Sequence, residues 1–155
     1  MEKTVILGIG NHLMRDDGIG MCVVEKLAEH QQDFDAIQYV IGESDIDYCL
    51  KKIEGASCVL IVDAVISGKK PGDVSLFCLS DLHEQQDLTL SPHNLHLFNA
   101  LYHERDRIKG YVIGIEPHDI SFHLGLSKQL NEKLSDITAH AEKIIKEITV
   151  KKWGG

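Results

Sequence analysis

Two runs, Thr4 to Ile9 and Ser57 to Val62, are almost wholly apolar and rich in β-branched residues, and the second stops on Asp63. A strand that is apolar on both faces belongs inside a mostly parallel sheet with helices covering both sides. Both runs are far too short to span a bilayer. The segments between and after them must therefore supply the covering helices.

They do so in alternation. After a loop from Gly10 to Gly18, the residues Ile19, Val23, Val24 and Leu27 form a helical stripe that lasts to about Glu29. A second strand is predicted over Ala36 to Ile41. Ser44-Asp45-Ile46-Asp47 resembles a capping box, with Asp in place of the usual Glu or Gln, opening a helix whose buried face is Ile46, Cys49, Leu50 and Ile53. Gly55 suits the position just past its end.

A turn-rich stretch, Ser67 to Asp73, precedes an edge or antiparallel strand over Val74 to Leu79, and residues 80–90 read as a polar loop. Pro92 opens a helix with an inner face of Leu95, Phe98, Leu101 and Tyr102, and Tyr111 to Ile115 is the last strand. The spacing of Leu130, Leu134, Ile137, Ala141, Ile144 and Ile148 predicts a long C-terminal helix with Ser127 as its N-cap. The expected fold class is α/β: a three-layer α/β/α domain with a twisted, mainly parallel sheet of about five strands. It should occupy residues 1–150, with a tail over 151–155 whose Trp153 either packs on the domain or projects from it.

Sixteen basic and twenty-four acidic residues give a net charge of −8, which offers no electrostatic footprint for nucleic acid or anionic lipid. No nucleic-acid partner, no membrane and a cytoplasmic location are expected. Cys22, Cys49, Cys58 and Cys78 form no C-x-x-C pair and sit in apolar surroundings, so they read as reduced core residues.

Three features carry chemistry. The loop from Gly8 to Gly20 holds the adjacent carboxylates Asp16 and Asp17; Asp63 stands where an apolar strand stops; Ser91-Pro92-His93-Asn94 enters a helix. Loops that follow parallel strands open on the carboxyl edge of the sheet, so Asp17, Asp63 and His93 can meet there although they are distant in the chain. Two carboxylates and an imidazole suit a divalent transition metal and leave positions open for water or substrate. The bland alternatives are a strand-end Asp acting as a turn former and a purely structural glycine turn. A dinucleotide fingerprint fits poorly, because Leu13 replaces the third glycine and two carboxylates would face the pyrophosphate.

Taken in order, Gly8-x-Gly10-Asn11-x-Leu13-x-x-Asp16-Asp17-Gly18-x-Gly20, Val62-Asp63-Ala64, Ser91-Pro92-His93, and Gly114-Ile115-Glu116-Pro117 with Gly125-Leu126-Ser127 resemble the successive motifs of the nickel–iron hydrogenase maturation endopeptidases. The likeness runs over nearly the whole chain. It implies an endopeptidase that removes a C-terminal extension from the precursor of the hydrogenase large subunit after nickel insertion. It also implies that Asp17, Asp63 and His93 contact a metal, namely nickel held by the substrate, with zinc or cadmium as divalent stand-ins.

Metal-assisted hydrolysis would use Asp17 or Asp16 as the base that takes a proton from water, with Asp16 alternatively structural. His96 stands where many members of that family have glycine, and it reads as a fourth ligand, an outer donor or a surface residue. His12, His118 and His123 match no family ligand and read as solvated loop residues. A non-catalytic, nickel-sensing or chaperone-like module for the large subunit is the alternative, since no G-x-S-x-G or H-E-x-x-H motif is present. A monomer is expected.

Overall fold

A computed structural model describes residues 3–30, 36–84 and 92–153 of the chain. The described strands are β1 (Thr4–Ile9), β2 (Ile37–Glu43), β3 (Cys58–Ala64), β4 (Val74–Cys78) and β5 (Lys109–Ile115). The helices are α1 (Ile19–Glu29), α2 (Ile46–Lys52), α3 (Pro92–His103) and α4 (Lys128–Trp153). The strands form one sheet in the order β2-β1-β3-β5-β4, parallel throughout except for β4, which runs antiparallel along one edge. The two apolar runs, β1 and β3, lie inside the sheet, as their two-sided hydrophobicity requires.

Strand alternation splits the core into two layers. Val5, Leu7, Val59 and Ile61 pack under α2 and α3 with Cys49, Ile53, Leu97, Phe98 and Leu101. Ile6, Leu60, Val62 and Ile113 pack under α1 and α4 with Ile19, Val23, Leu27, Leu130, Ile137 and Ala141. This is the three-layer α/β/α arrangement.

Five expectations need correction. The cap of α2 is Asp45 rather than Ser44: the Asp45 side chain accepts a hydrogen bond from the Tyr48 N–H at 3.0 Å. The inner face of α3 is Asn94, Leu97, Phe98 and Leu101, while Leu95 is 47% exposed. Cys78 is exposed on the edge strand β4, whereas Cys49 and Cys58 are buried, and burial pushes the Cys49 thiol up to about 11. Helix α4 runs on to Trp153, three residues into the stretch read as a tail. The polar loop expected over 80–90 begins as a 3-10 turn, Leu79–Glu84, and its remainder lies outside the described residues.

The corrected cap carries a prediction. Asp45→Ala removes the acceptor for the Tyr48 N–H at the first turn of α2, and the expected loss is ~1 kcal/mol of folding stability in urea titration. Ser44→Ala should leave the midpoint within error, and equal losses for both substitutions would contradict the assignment.

Candidate active site

Strands β1 and β3 are adjacent and parallel, with Gly8 paired to Val62, so the chain leaves both at one carboxyl edge. Two glycines let the elements close in there. A methyl group on Gly20 would lie 2.1 Å from the Val62 carbonyl oxygen, so only glycine lets the start of α1 rest on the end of β3. Gly10, at φ +140°, would place its methyl 2.0 Å from the Asp17 carbonyl oxygen. The glycine loop is thus folded tightly back on itself, which brings Asp17 beside Asp63.

Asp63 is fully buried and lies in register with Gly114 of β5. The Ala64 N–H donates to its Oδ1 at 2.8 Å, and the Asn94 side-chain amide of α3 donates to its Oδ2. Asp17 is half-buried in the 3-10 turn Arg15–Gly18, where the Asn11 N–H donates to its Oδ2 at 2.9 Å. Burial raises the Asp63 carboxyl well above the usual carboxylate range, and the charge of Asp17 pushes the same way against the Ala64 and Asn94 hydrogen bonds. Burial also raises Asp17, opposed by the Asn11 N–H. Asp17 ionises first, beside a still neutral Asp63, so the repulsion falls on Asp63, which gives up its proton last. One carboxylate and one carboxylic acid side by side can take a proton at one atom and offer one at another.

Asp16 faces the other way. It is fully buried, and its carboxylate accepts from the His118 N–H at 2.9 Å, the Asp119 N–H at 2.9 Å, the Ser127 N–H at 2.7 Å and the Ser127 hydroxyl at 2.8 Å. Of the two roles left open for it, this geometry supports the structural one, although its donors come from residues 118–127 and not from the glycine loop. Ser127 also caps α4 as expected, its Oγ accepting from the Leu130 N–H at 3.3 Å. Between these two aspartates and the rest of the loop, Arg15 adopts φ +49°, a left-handed conformation uncommon for a side-chain-bearing residue.

His93 belongs to the first turn of α3, and its side chain lies outside the described residues, as does Ser91. Among the described residues no group of three His, Cys, Asp or Glu side chains is placed to hold a metal. His96 is exposed and stands apart from the inward face that carries Asn94. His118 and His123 are exposed loop residues, and His12 is half-buried. Two contributors escaped the sequence reading. Asn94 was visible only as a neighbour of His93. Glu116, buried after β5, accepts at Oε1 from the Ser67 N–H, the Ser67 hydroxyl and the Lys69 N–H at 3.0, 2.7 and 3.2 Å, and so pins the loop after β3.

These features define an α/β protein with two acidic side chains, Asp17 and Asp63, at the carboxyl edge of a mostly parallel sheet. The chain matches the HycI hydrogenase maturation protease family over residues 21–145 and belongs to that family. It is 27% identical over 146 residues to the hydrogenase 3 maturation protease of Escherichia coli, covering 89% of this chain and 88% of that one. It is 35% identical over 72 residues to the hydrogenase expression/formation protein HoxM of Azotobacter vinelandii, covering 46% of this chain and 35% of that one. The chain spans about a third of the length of this and similar expression/formation proteins. In fold it is similar to the hydrogenase maturating endopeptidase HybD of E. coli, with a TM-score of 0.77 at 22% identity over 94% of this chain and 93% of that one.

Proposed function

We propose that this chain is the endopeptidase that removes the C-terminal extension from the precursor of a nickel–iron hydrogenase large subunit. Membership of the maturation protease family gives the reaction class, and one observation carries the assignment of the site: the buried Asp63 sits beside the half-buried Asp17 at the carboxyl edge, and burial raises both carboxyls. Asp17 is the base that accepts a proton from the attacking water, because it keeps an open oxygen and Asp16 does not. Asp17 then returns that proton to the departing amine, while Asp63, aimed by Ala64 and Asn94, completes the acid pair that faces the cation.

The donor set also fits recognition of a divalent cation carried by the precursor. Carboxylate oxygens of Asp17 and Asp63, with the imidazole of His93, are borderline-to-hard ligands of the kind that nickel, zinc or cadmium accept. A cation arriving there lowers the proton affinity of both carboxyls. Loaded and unloaded precursors are thereby distinguished by whether the acid pair is neutralised by a metal or by a proton.

The expected result of incubating the purified chain with nickel-loaded precursor is a mass loss equal to one C-terminal peptide, with no loss from nickel-free precursor. A stable complex of unchanged mass would assign the chain to the non-catalytic, nickel-sensing class instead, and equal cutting of both precursors would remove the metal from recognition.

A further inference from the structure

Seven large hydrophobic side chains are exposed among the described residues, and four of them, Leu13, Ile120, Phe122 and Leu124, lie on two segments joined by backbone hydrogen bonds. Phe122 and Leu124 are 78% and 71% exposed. The His123 N–H donates to the Leu13 carbonyl at 2.8 Å, and the Arg15 N–H donates to the His123 carbonyl at 3.0 Å, which closes a parallel bridge between Met14 and His123. In a trans peptide the C=O and N–H point in opposite directions. The Phe122 carbonyl and the Leu124 N–H therefore face the outer edge, and neither has a partner among the described residues.

We infer that this outer edge is the docking strand for the substrate: an extended, uncharged and apolar segment of the precursor pairs with Phe122 and Leu124 and lays alternate side chains on them. The inference rests on the processing function proposed above and names the part of the substrate that is read. An outward acceptor and an outward donor flanking one inward-bonded residue are what an added strand needs. A helical segment cannot use them, because its own backbone groups are already paired. A charged segment gains little, because Arg15 and Asp119 on this ribbon already face each other at 3.8 Å.

The ledge is also tied to the acid pair. Asp16 grips residues 118, 119 and 127, so the segment that displays Phe122 and Leu124 is anchored at both ends to the residue preceding Asp17. A peptide seated on the ledge is thus held at a fixed offset from Asp17, which is how binding energy away from the scissile bond is used in positioning.

The test replaces both exposed side chains, Phe122→Ser with Leu124→Ser, which leaves the buried core untouched. The expected KM for nickel-loaded precursor rises about tenfold or more while kcat stays within about twofold. In a second measurement, precursor added to Asp63→Asn protein slows hydrogen exchange at the Leu124 amide about tenfold or more. An unchanged KM together with unchanged Leu124 exchange would overturn the inference. If the wild-type chain cuts no precursor, the processing function fails on its own; the ledge then stands on Leu124 protection and a weaker precursor affinity in the double variant, and falls without them.

Discussion

Asp63→Asn is expected to lower cleavage of nickel-loaded precursor by about a thousandfold, because it removes an anionic oxygen offered to the cation and the acidic partner of Asp17. The substitution preserves shape. The amide oxygen introduced at position 63 can still accept from the Ala64 N–H, and Asn94 can turn its amide over to present oxygen to the new NH2 group. What is lost is the capacity to ionise, and with it the anionic oxygen that a cation at the site would take. A variant that processes precursor at the normal rate would remove Asp63 from the chemistry.

The same substitution makes a pH prediction whose sign follows from burial. The folded chain holds the Asp63 proton more tightly than the unfolded chain does, since the folded carboxyl is raised well above its ordinary value. Below about pH 4, where an unfolded Asp is protonated, the two states bind equal protons at this residue and it exerts no pH effect. As pH rises, the unfolded chain releases the proton first and stability falls, until the folded carboxyl also ionises. The substituted amide does not titrate. The stability of wild type relative to Asp63→Asn should therefore decline as pH rises above about 4 in urea titrations, and parallel curves for the two proteins would contradict the raised carboxyl. A residue that costs stability at working pH and is needed for cleavage is an ordinary trade-off at an active site.

The strands β1 and β3 and the helix α1 were legible because their signals are strong and local: two-sided apolar runs and a four-residue stripe ending near Glu29. The meeting of Asp17 and Asp63 was legible for a different reason, since parallel topology forces the loops after strands to one edge. Where the reading slipped, a polar residue was facing inward. On α3 a count of apolar positions selects Leu95, but the helix is rotated so that Asn94 reaches Asp63, and Leu97 takes the core place assigned to Leu95. Periodicity treats an inward amide as a surface residue and so misplaces the face. At α2, Ser44 and Asp45 are both competent caps, and only the conformation of the turn chooses between them. Asp16 and Asp17 are chemically identical neighbours, and their opposite fates depend on residues a hundred positions away.

That last division supports the second large prediction. Asp16→Ala removes the acceptor for three N–H groups and one hydroxyl, and the Ser127 pair is left buried without it. Hydrogen bonds to a charged acceptor contribute about 1.5–3 kcal/mol each, and an orphaned buried donor costs about 1–3 kcal/mol. The His118 and Asp119 amides are only partly buried and regain water, so the sum is discounted to an expected loss of ~3–5 kcal/mol, a large share of the total stability of a domain of this size. Asp16→Asn should be intermediate, because its NH2 group is set against donors. Ser127→Ala, which deletes one of the four donors and the cap of α4, should cost about 1–2 kcal/mol. In protein that remains folded, release of residues 118–127 should also raise KM, since the apolar ledge is no longer anchored beside Asp17. Urea titration and precursor kinetics on the three variants test this order, and a loss below about 1 kcal/mol for Asp16→Ala would mean that the clasp does not hold the loop.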